Sequence, residues 1–385
     1  MKAGWQVKTL NQIAENLDNK RIPITKSDRI EGIYPYYGAS GIVDYVGSYI
    51  FDCDALLISE DGANLLARST PIAFPASGKY WVNNHAHIIK FDNLITQRFV
   101  ELYLESIALD DYITGAAQPK LNQKALNSIP IPIPLIQEQQ RIVAILDQAF
   151  EGIAKARANA EQNLQNARAL FESHLQSVFT QRGDGWKFSP LAQLCEKITK
   201  GSSPKWQGIN YVEEAGILFV TSENVGEYRL LLNHPKYVES KFNDKEKKSI
   251  LKRGDVLTNI VGASIGRTAI YDADEVANIN QAVCLIRCEP RLLYNSYLTY
   301  LLNSPVFKQI LHDNEVDNAR ANLSLGFFSN LEIPLPPLDI QKFIVEKLDV
   351  FRYETQRLEA IYQRKIALLD ELKKSLLQQA FAGEL

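Results

Sequence analysis

Apolar residues recur at steps of three and four through two long stretches of the chain. In the first, Ile142, Ile145, Ala149, Ile153, Ala156, Ala160, Leu164, Ala167, Phe171 and Val178 form one helical stripe, with His174 in the one polar slot between. In the second, Leu358, Ile361, Leu368, Leu372 and Leu376 keep the same spacing, with Lys365 filling a gap in the seam. The two stripes predict two long helices that pair as a coiled coil, alanine-rich face against leucine-rich face. Such small-against-large packing favours pairing within one chain over two separate homodimers. About 45 residues at 1.5 Å each make a rod of roughly 60 to 70 Å, with Gly152 the candidate break near the start of the first helix.

Each helix is entered in the same way. IPIPIPLIQEQQRIVAILD (129–147) and LEIPLPPLDIQKFIVEKLD (331–349) align without a gap at a shift of 202, and the register continues to Phe179 opposite Phe381. Proline cannot continue a helix and pushes its predecessor towards extended geometry, so each step reads as an extended entry followed by a helix. The regions before the helices correspond more loosely. GWQVKTLNQIAE matches GWKFSPLAQLCE, LLISEDGANL matches VLTNIVGASI, and Asn84 falls opposite Asn280. The chain is therefore read as a tandem of two globular-plus-helix units: globular parts 1–134 and 182–337, helices 135–181 and 338–385. Short β-type runs such as DALLIS, HAHIIKF, GDVLTNIV and QAVCLIRC alternate with helical runs such as TQRFVELYLESI and NSYLTYLLNS, which makes each globular part α+β.

Composition adds constraints. The 385 residues, 46 % apolar and 23 % charged, suit a folded chain of two domains. A net charge of -3 gives no global basic field, so any nucleic-acid contact must rest on local patches or on partners. Four cysteines, irregularly spaced, do not make a disulfide framework. The start MKAGWQVKTL lacks the apolar core of a signal peptide, and no stretch is apolar enough to span a bilayer; a cytoplasmic protein without membrane contact is expected.

Catalytic motifs are missing. No glycine run completes GxGxxG or GxxxxGK, and the Asn-Pro-Pro-Tyr type loop of amino-methyltransferases does not occur. His85 with His87 and Cys284 with Cys288 lack the second pair a zinc site requires, and the adjacent Glu60 and Asp61 read as loop residues. No catalytic residue, metal or cofactor is assigned to this chain.

Reading base edges calls for Asn, Gln or Arg near basic groups that hold phosphates. In the second globular part the loop KGSSPKW supplies Lys200, Ser202, Ser203 and Lys205; GASIGR supplies Ser264 and Arg267; a strand start supplies Asn280 and Gln281; and the run Lys241 to Arg253, with six basic and two acidic residues, includes Lys245 and Lys248. The first part offers Asn64 and Arg68 in EDGANLLAR, Asn84 and His85, and a basic and aromatic set of Arg21, Lys26, Tyr34, Tyr36 and Ser40. Each has a plain structural alternative: a surface turn, a strand cap, a solvated face or, for the tyrosines, core.

The openings GWQVKTL and GWKFSPL, the phrase YPYYGASGIVDYV, the IPIPIP and IPLPP steps, LFESHLQSVF and the ending LLQQAFAGEL together resemble the DNA-specificity subunit of type I restriction-modification systems, over the whole length. The resemblance implies two target-recognition domains separated by two helices that pair antiparallel. Each domain would read one half of a split double-stranded DNA target. The helices would set the gap and carry two methyltransferase subunits, which would hold S-adenosylmethionine, with restriction/motor subunits added where the system cleaves. The alternative is a non-catalytic scaffold whose globular ends bind proteins.

Overall fold

The proline steps are strands. In the computed structural model, which describes residues 4–385 apart from 116, 182, 184, 214, 215 and 317–320, Pro130–Ile133 pairs antiparallel with Gln6–Thr9, Val7 opposite Pro132. Glu332–Leu335 pairs likewise with Lys187–Pro190, Phe188 opposite Pro334. In a two-stranded ribbon every second residue turns its N–H away from the partner, so prolines at alternate positions lose no ladder bond. The repeated openings are thus the partner strands of the repeated proline steps. Beyond them a buried glutamine clasps each helix start: Gln139 Nε2 donates to the Pro134 carbonyl at 2.8 Å, and Gln341 Nε2 to that of Pro336 at 2.9 Å.

Each globular part holds two four-stranded sheets. One is antiparallel, in the order Glu15–Asn16, Ala86–Lys90, Ala55–Ser59, Ala73–Ala76 in the first part and Cys195–Lys200, Val283–Cys288, Val256–Asn259, Thr268–Ile270 in the second. The other includes one parallel pair, Glu31–Gly38 with Lys79–Val82 and Ile217–Val220 with Ala277–Ile279. ALLIS shows no polar alternation because its strand is covered on both faces. Leu56 and Ile58 pack in a cluster with Val100 and Leu104 of the helix Leu94–Ser106, while Leu57 joins Phe51, Tyr80 and Val82 of the second sheet. In the other half Val256 packs with Tyr297 and Leu298 of the helix Asn295–Asn303, and Leu257 with Leu218 and Val220.

The long helices are Ile136–Thr180 and Leu338–Ala382. Packing divides the chain into two compact units, Met1–Glu161 with Gln363–Leu385, and Gln162–Tyr362, so each globular part is grouped with half of each helix. In the first unit Ile142, Val143 and Leu146 cluster with Leu377, Ala380, Phe99 and Leu102, and Arg157 pairs with Asp370. In the second, Leu175 and Phe179 cluster with Val345 and Leu348, Phe351 meets Phe171 and His174, and Arg168 bonds Glu359 at 3.1 Å. Within each unit the numbers rise on one helix as they fall on the other, so the halves pack antiparallel.

The seam corrects the sequence reading. On the first helix Ile153, Ala160 and Ala167 are buried as expected, although Ile145 faces solvent. Burial of alanines that have so little side chain requires a close approach of the opposing helix. On the second helix Leu358, Ile361, Leu368 and Leu372 are exposed; the covered face carries Val345, Leu348, Thr355, Leu377 and Ala380, with Glu359, Tyr362 and Ile366 half-buried. Periodicity identifies a stripe without saying which of two stripes on one helix meets the partner. Gly152 does not break the first helix, which runs through it on an open face. Among the described residues no helix is long and apolar enough to cross a membrane.

Candidate nucleic-acid interface

The loops that follow the central strands, EDGANL after Ser59 and IVGASI after Asn259, share one backbone frame. Glu60 N donates to the His85 carbonyl and Ile260 N to that of Ala282, while Leu121 N and Leu323 N donate to the carbonyls of Glu60 and Ile260. Gly62 (φ +107°) and Gly262 (φ +76°) take the turn conformation that side chains disfavour. What differs is the side chains on the frame.

In the first domain the frame is charged. His87, fully buried, turns Nδ1 to Asp18 at 2.5 Å and donates Nε2–H to the Leu121 carbonyl at 2.7 Å. Arg21 bonds Glu60 at 2.6 Å and the Ala86 carbonyl at 2.8 Å, and Lys120 reaches Glu60 at 3.1 Å. Burial works against the Asp18 charge, but His87, the Ile88 N–H and Arg21 together hold its carboxyl below the usual aspartate value. Asp18, Glu60 and His87 place ligand atoms within 4.8 Å of one another. Their charge is nevertheless balanced by Arg21 and Lys120, and both imidazole nitrogens are engaged, so the arrangement suits a structural ion network. At the equivalent places the second domain has Ile260 and Cys284, both buried. Burial pushes the Cys284 thiol well up, which makes it an inert core group.

Several first-domain candidates are tied into the protein. Arg21 is a strut of this network. Tyr36 is core, its hydroxyl donating to the Ile24 carbonyl at 3.3 Å and Arg29 lying over its ring. Arg68, in the left-handed region, donates to the carbonyls of Leu65, Leu104 and Ile107 and so staples its loop to the helix behind it. Asn64 clasps Ser69 and Thr70. Tyr34 packs on Tyr49. Lys26, Ser40, Asn84 and His85 are exposed, and His85 bonds Asp61 at 2.9 Å. Because the Ser59 hydroxyl donates to the Ala39 carbonyl, the Ser40 turn lies beside the loop that meets His85.

The second domain gathers its candidates more closely. Gly201 packs so tightly on the Ile279 carbonyl that a Cβ would lie 1.7 Å from it, which sets Lys200, Ser202 and Ser203 beside Asn280. Gln207 Nε2 donates to Ser202 Oγ at 3.2 Å and Glu246 Oε1 at 2.8 Å, and Lys245 Nζ donates to the Gln207 carbonyl at 2.6 Å. Those bonds draw the lysine run against the KGSSPKW loop. Lys200 and Lys205 are exposed, and Lys248 stands 3.7 Å from Glu246. Asn280 Oδ1 caps the Ala282 N–H, Ser264 accepts from Asn259 Nδ2, and Gln281 and Arg267 lie at the surface beside them. The sequence reading passed over Trp206, 76 % exposed in the middle of this basic turn. The signal was a large aromatic between lysine and glutamine in a Ser-Pro-Gly-bounded turn.

The family model described as type I restriction modification DNA specificity domain matches residues 2–162 and 183–368. The chain is 27 % identical, over 89 % of its length and 86 % of the relative's, to a putative type I restriction enzyme specificity subunit of Haemophilus influenzae. It is 22 % identical, over 99 % and 93 %, to the MjaVIII specificity subunit of Methanocaldococcus jannaschii. In fold it is similar to the HsdS subunit of Thermoanaerobacter tengcongensis (TM-score 0.62, 19 % identity, 100 % of this chain and 98 % of that one). It is also similar to a chain from a structural study of type I R-M complex assembly and conformational transition (TM-score 0.78, 19 % identity, 100 % and 99 %).

Proposed function

Because the chain belongs to the family of type I restriction modification DNA specificity domains, we propose that each of its two globular domains reads one half of a split double-stranded DNA target. The observation that carries this is the divergence of side chains on a shared frame: Glu60 and His87 against Ile260 and Cys284, with differently furnished surface loops beyond. A pair of domains built alike and surfaced differently suits two unlike half-sites presented by one duplex.

The chain supplies recognition and no chemistry in this reading. Methyl transfer falls to two methyltransferase subunits, which hold the S-adenosylmethionine, and cleavage to motor subunits where the system restricts. Two features support dependence on partners, the first of them docking on the second helix. Leu358 and Ile361 in one unit, and Leu368 and Leu372 in the other, leave apolar side chains in water on a face the first helix does not cover. The weakly acidic chain also supports a reader that gains its full hold on DNA only with partners.

Genome-wide methylation mapping tests the proposal, in a host without such systems that expresses this chain with its neighbouring methyltransferase. A motif of two short defined blocks around a fixed gap is expected. Replacing residues 1–125 with those of a relative should change one block and leave the other. Absence of new methylation from a soluble, associated pair of proteins would reject the reading.

A further inference from the structure

The geometry points to Trp206 as an apolar wedge of the second domain that enters the DNA and reads the deformability of its half-site. This rests on the DNA-reading function proposed above and adds a contact type that the polar candidates do not supply.

A tryptophan carries the largest apolar surface of any side chain and is enriched where a partner covers it, and Trp206 is left 76 % exposed. Trp206 is held out by a turn that cannot easily retract it. Pro204 starts the 3-10 turn Lys205–Gln207, and Gly208, at φ +66°, ends it. The buried Ile209 anchors the exit, its N–H donating to the Pro204 carbonyl at 3.0 Å. Gln207 is fixed by Ser202, Glu246 and Lys245 through the three bonds described above. The backbone on both sides of the indole is thus pinned, and the ring is presented with little ordering entropy left to lose on binding.

The surroundings select the partner. Lys200, Lys205 and Lys247 are exposed around the loop and bonded to no carboxylate among the described residues, while Lys245 holds the turn. An apolar partner surface would leave these charges without counter-ions. A polyanion whose apolar faces lie between its charged edges suits both groups at once: base pairs take the indole and phosphates take the lysines. Apolar side chains that enter a duplex in this way unstack a base step and kink it, at a cost lowest for flexible pyrimidine–purine steps. Sequence preference then arises without a hydrogen bond to a base edge.

The test uses the full chain assembled with its methyltransferase on duplexes carrying the mapped target, with binding measured across a salt series. Trp206→Ala is expected to weaken binding roughly ten- to a hundred-fold at every salt concentration, the scale of a lost aromatic–base contact. Lys205→Ala should instead flatten the salt dependence by about one counter-ion. Trp206→Phe should retain much of the affinity. A 2-aminopurine placed through the second half-site should brighten at one step with the parent and not with Trp206→Ala. Unchanged affinity and no brightening for Trp206→Ala, with circular dichroism showing an intact fold, would overturn the wedge while leaving the DNA-reading function standing. Weakened assembly with the methyltransferase at unchanged DNA affinity would also overturn it. Failure of the parent complex to bind DNA would remove the function itself, and the wedge with it.

Discussion

Arg157 on the first long helix pairs with Asp370 on the second, and the pair recurs with its charges exchanged. At the shift of 202 that relates the two halves, Arg157 corresponds to Glu359 and Asp370 to Arg168, and Glu359 and Arg168 are themselves bonded at 3.1 Å. Both basic members therefore sit on the first helix and both acidic members on the second. An antiparallel pairing of two first helices would set Arg157 against Arg168, and one of two second helices would set Asp370 against Glu359. The exchange favours the pairing inside one chain. The double variant Arg157→Glu with Glu359→Arg reverses one charge of each pair: each chain then repels itself at both positions and complements a second copy. Size-exclusion chromatography with light scattering should show it shifted towards dimer relative to the parent. Adding Arg168→Glu and Asp370→Arg should restore the parent distribution. Each exposed pair is worth at most about 1 kcal/mol, so a variant altered at one pair alone should move stability only slightly. An unshifted double variant would mean that the apolar seam alone selects the partner.

Asp147 and Asp349, identical at the same shift, also have a structural reason. Arg98 donates twice to Asp147, at 3.0 and 2.7 Å, and Tyr300 donates its hydroxyl to Asp349 at 2.5 Å. In each unit the aspartate ties a long helix to the helix of its own globular part. Beside Arg98, burial pushes the Glu101 carboxyl up to about 7, with Arg98 only partly opposing it. A carboxyl whose folded value is raised holds a proton that the unfolded chain releases, so stability falls as pH climbs from the usual glutamate range through 7. The effect is bounded at about 3 kcal/mol. Thermal unfolding between pH 5 and 8 should show this slope in the parent and lose it in Glu101→Gln.

How much of this was legible in the sequence follows from which signals are local. The proline steps, the helices and the tandem repeat could be read because proline geometry and helical period act over a few residues. The ribbon pairing of GWQVKT with IPIPIP was not, since no local rule says which distant strand a proline-rich strand will meet. Leu358, Ile361, Leu368 and Leu372 misled for a related reason: they keep perfect helical spacing but belong to the second helix's other face. At the candidate interface, residue type identified the basic loops but not whether a given arginine was already spent. Arg21 and Arg68 look like free cations in sequence, yet both are consumed by contacts with residues far along the chain.

The misplaced stripe yields its own prediction. Leu368 and Leu372 are 46 % exposed each. Leu368→Glu with Leu372→Glu should leave the melting temperature of the isolated chain within a degree or two, because surface changes of this kind rarely exceed about 0.5 kcal/mol. Co-purification with the methyltransferase should fall sharply. Intact association would assign docking to another surface.

The buried ion network gives the sharpest distinction between holding the domain together and holding DNA. Removing His87 leaves the Asp18 carboxylate buried and short of its main partner, and breaking such a pair from one side costs about 3 to 5 kcal/mol. His87→Leu should therefore lower the melting temperature of the chain markedly, whereas Asp18→Asn, which removes the charge that needs balancing, should cost less. The Asp18 value is depressed in the folded chain, so its contribution is fully present above the ordinary aspartate value and is lost as pH falls through the depressed one. Acid unfolding should accordingly begin at higher pH in the parent than in Asp18→Asn relative to each protein's neutral stability. Arg21 belongs to the same network through Glu60 and the Ala86 carbonyl. Arg21→Ala should thus destabilise the fold while leaving the salt dependence of DNA binding at its parent slope; Lys26→Ala, at an exposed position, should do the reverse. A flattened slope for Arg21→Ala at unchanged stability would return that arginine to the interface.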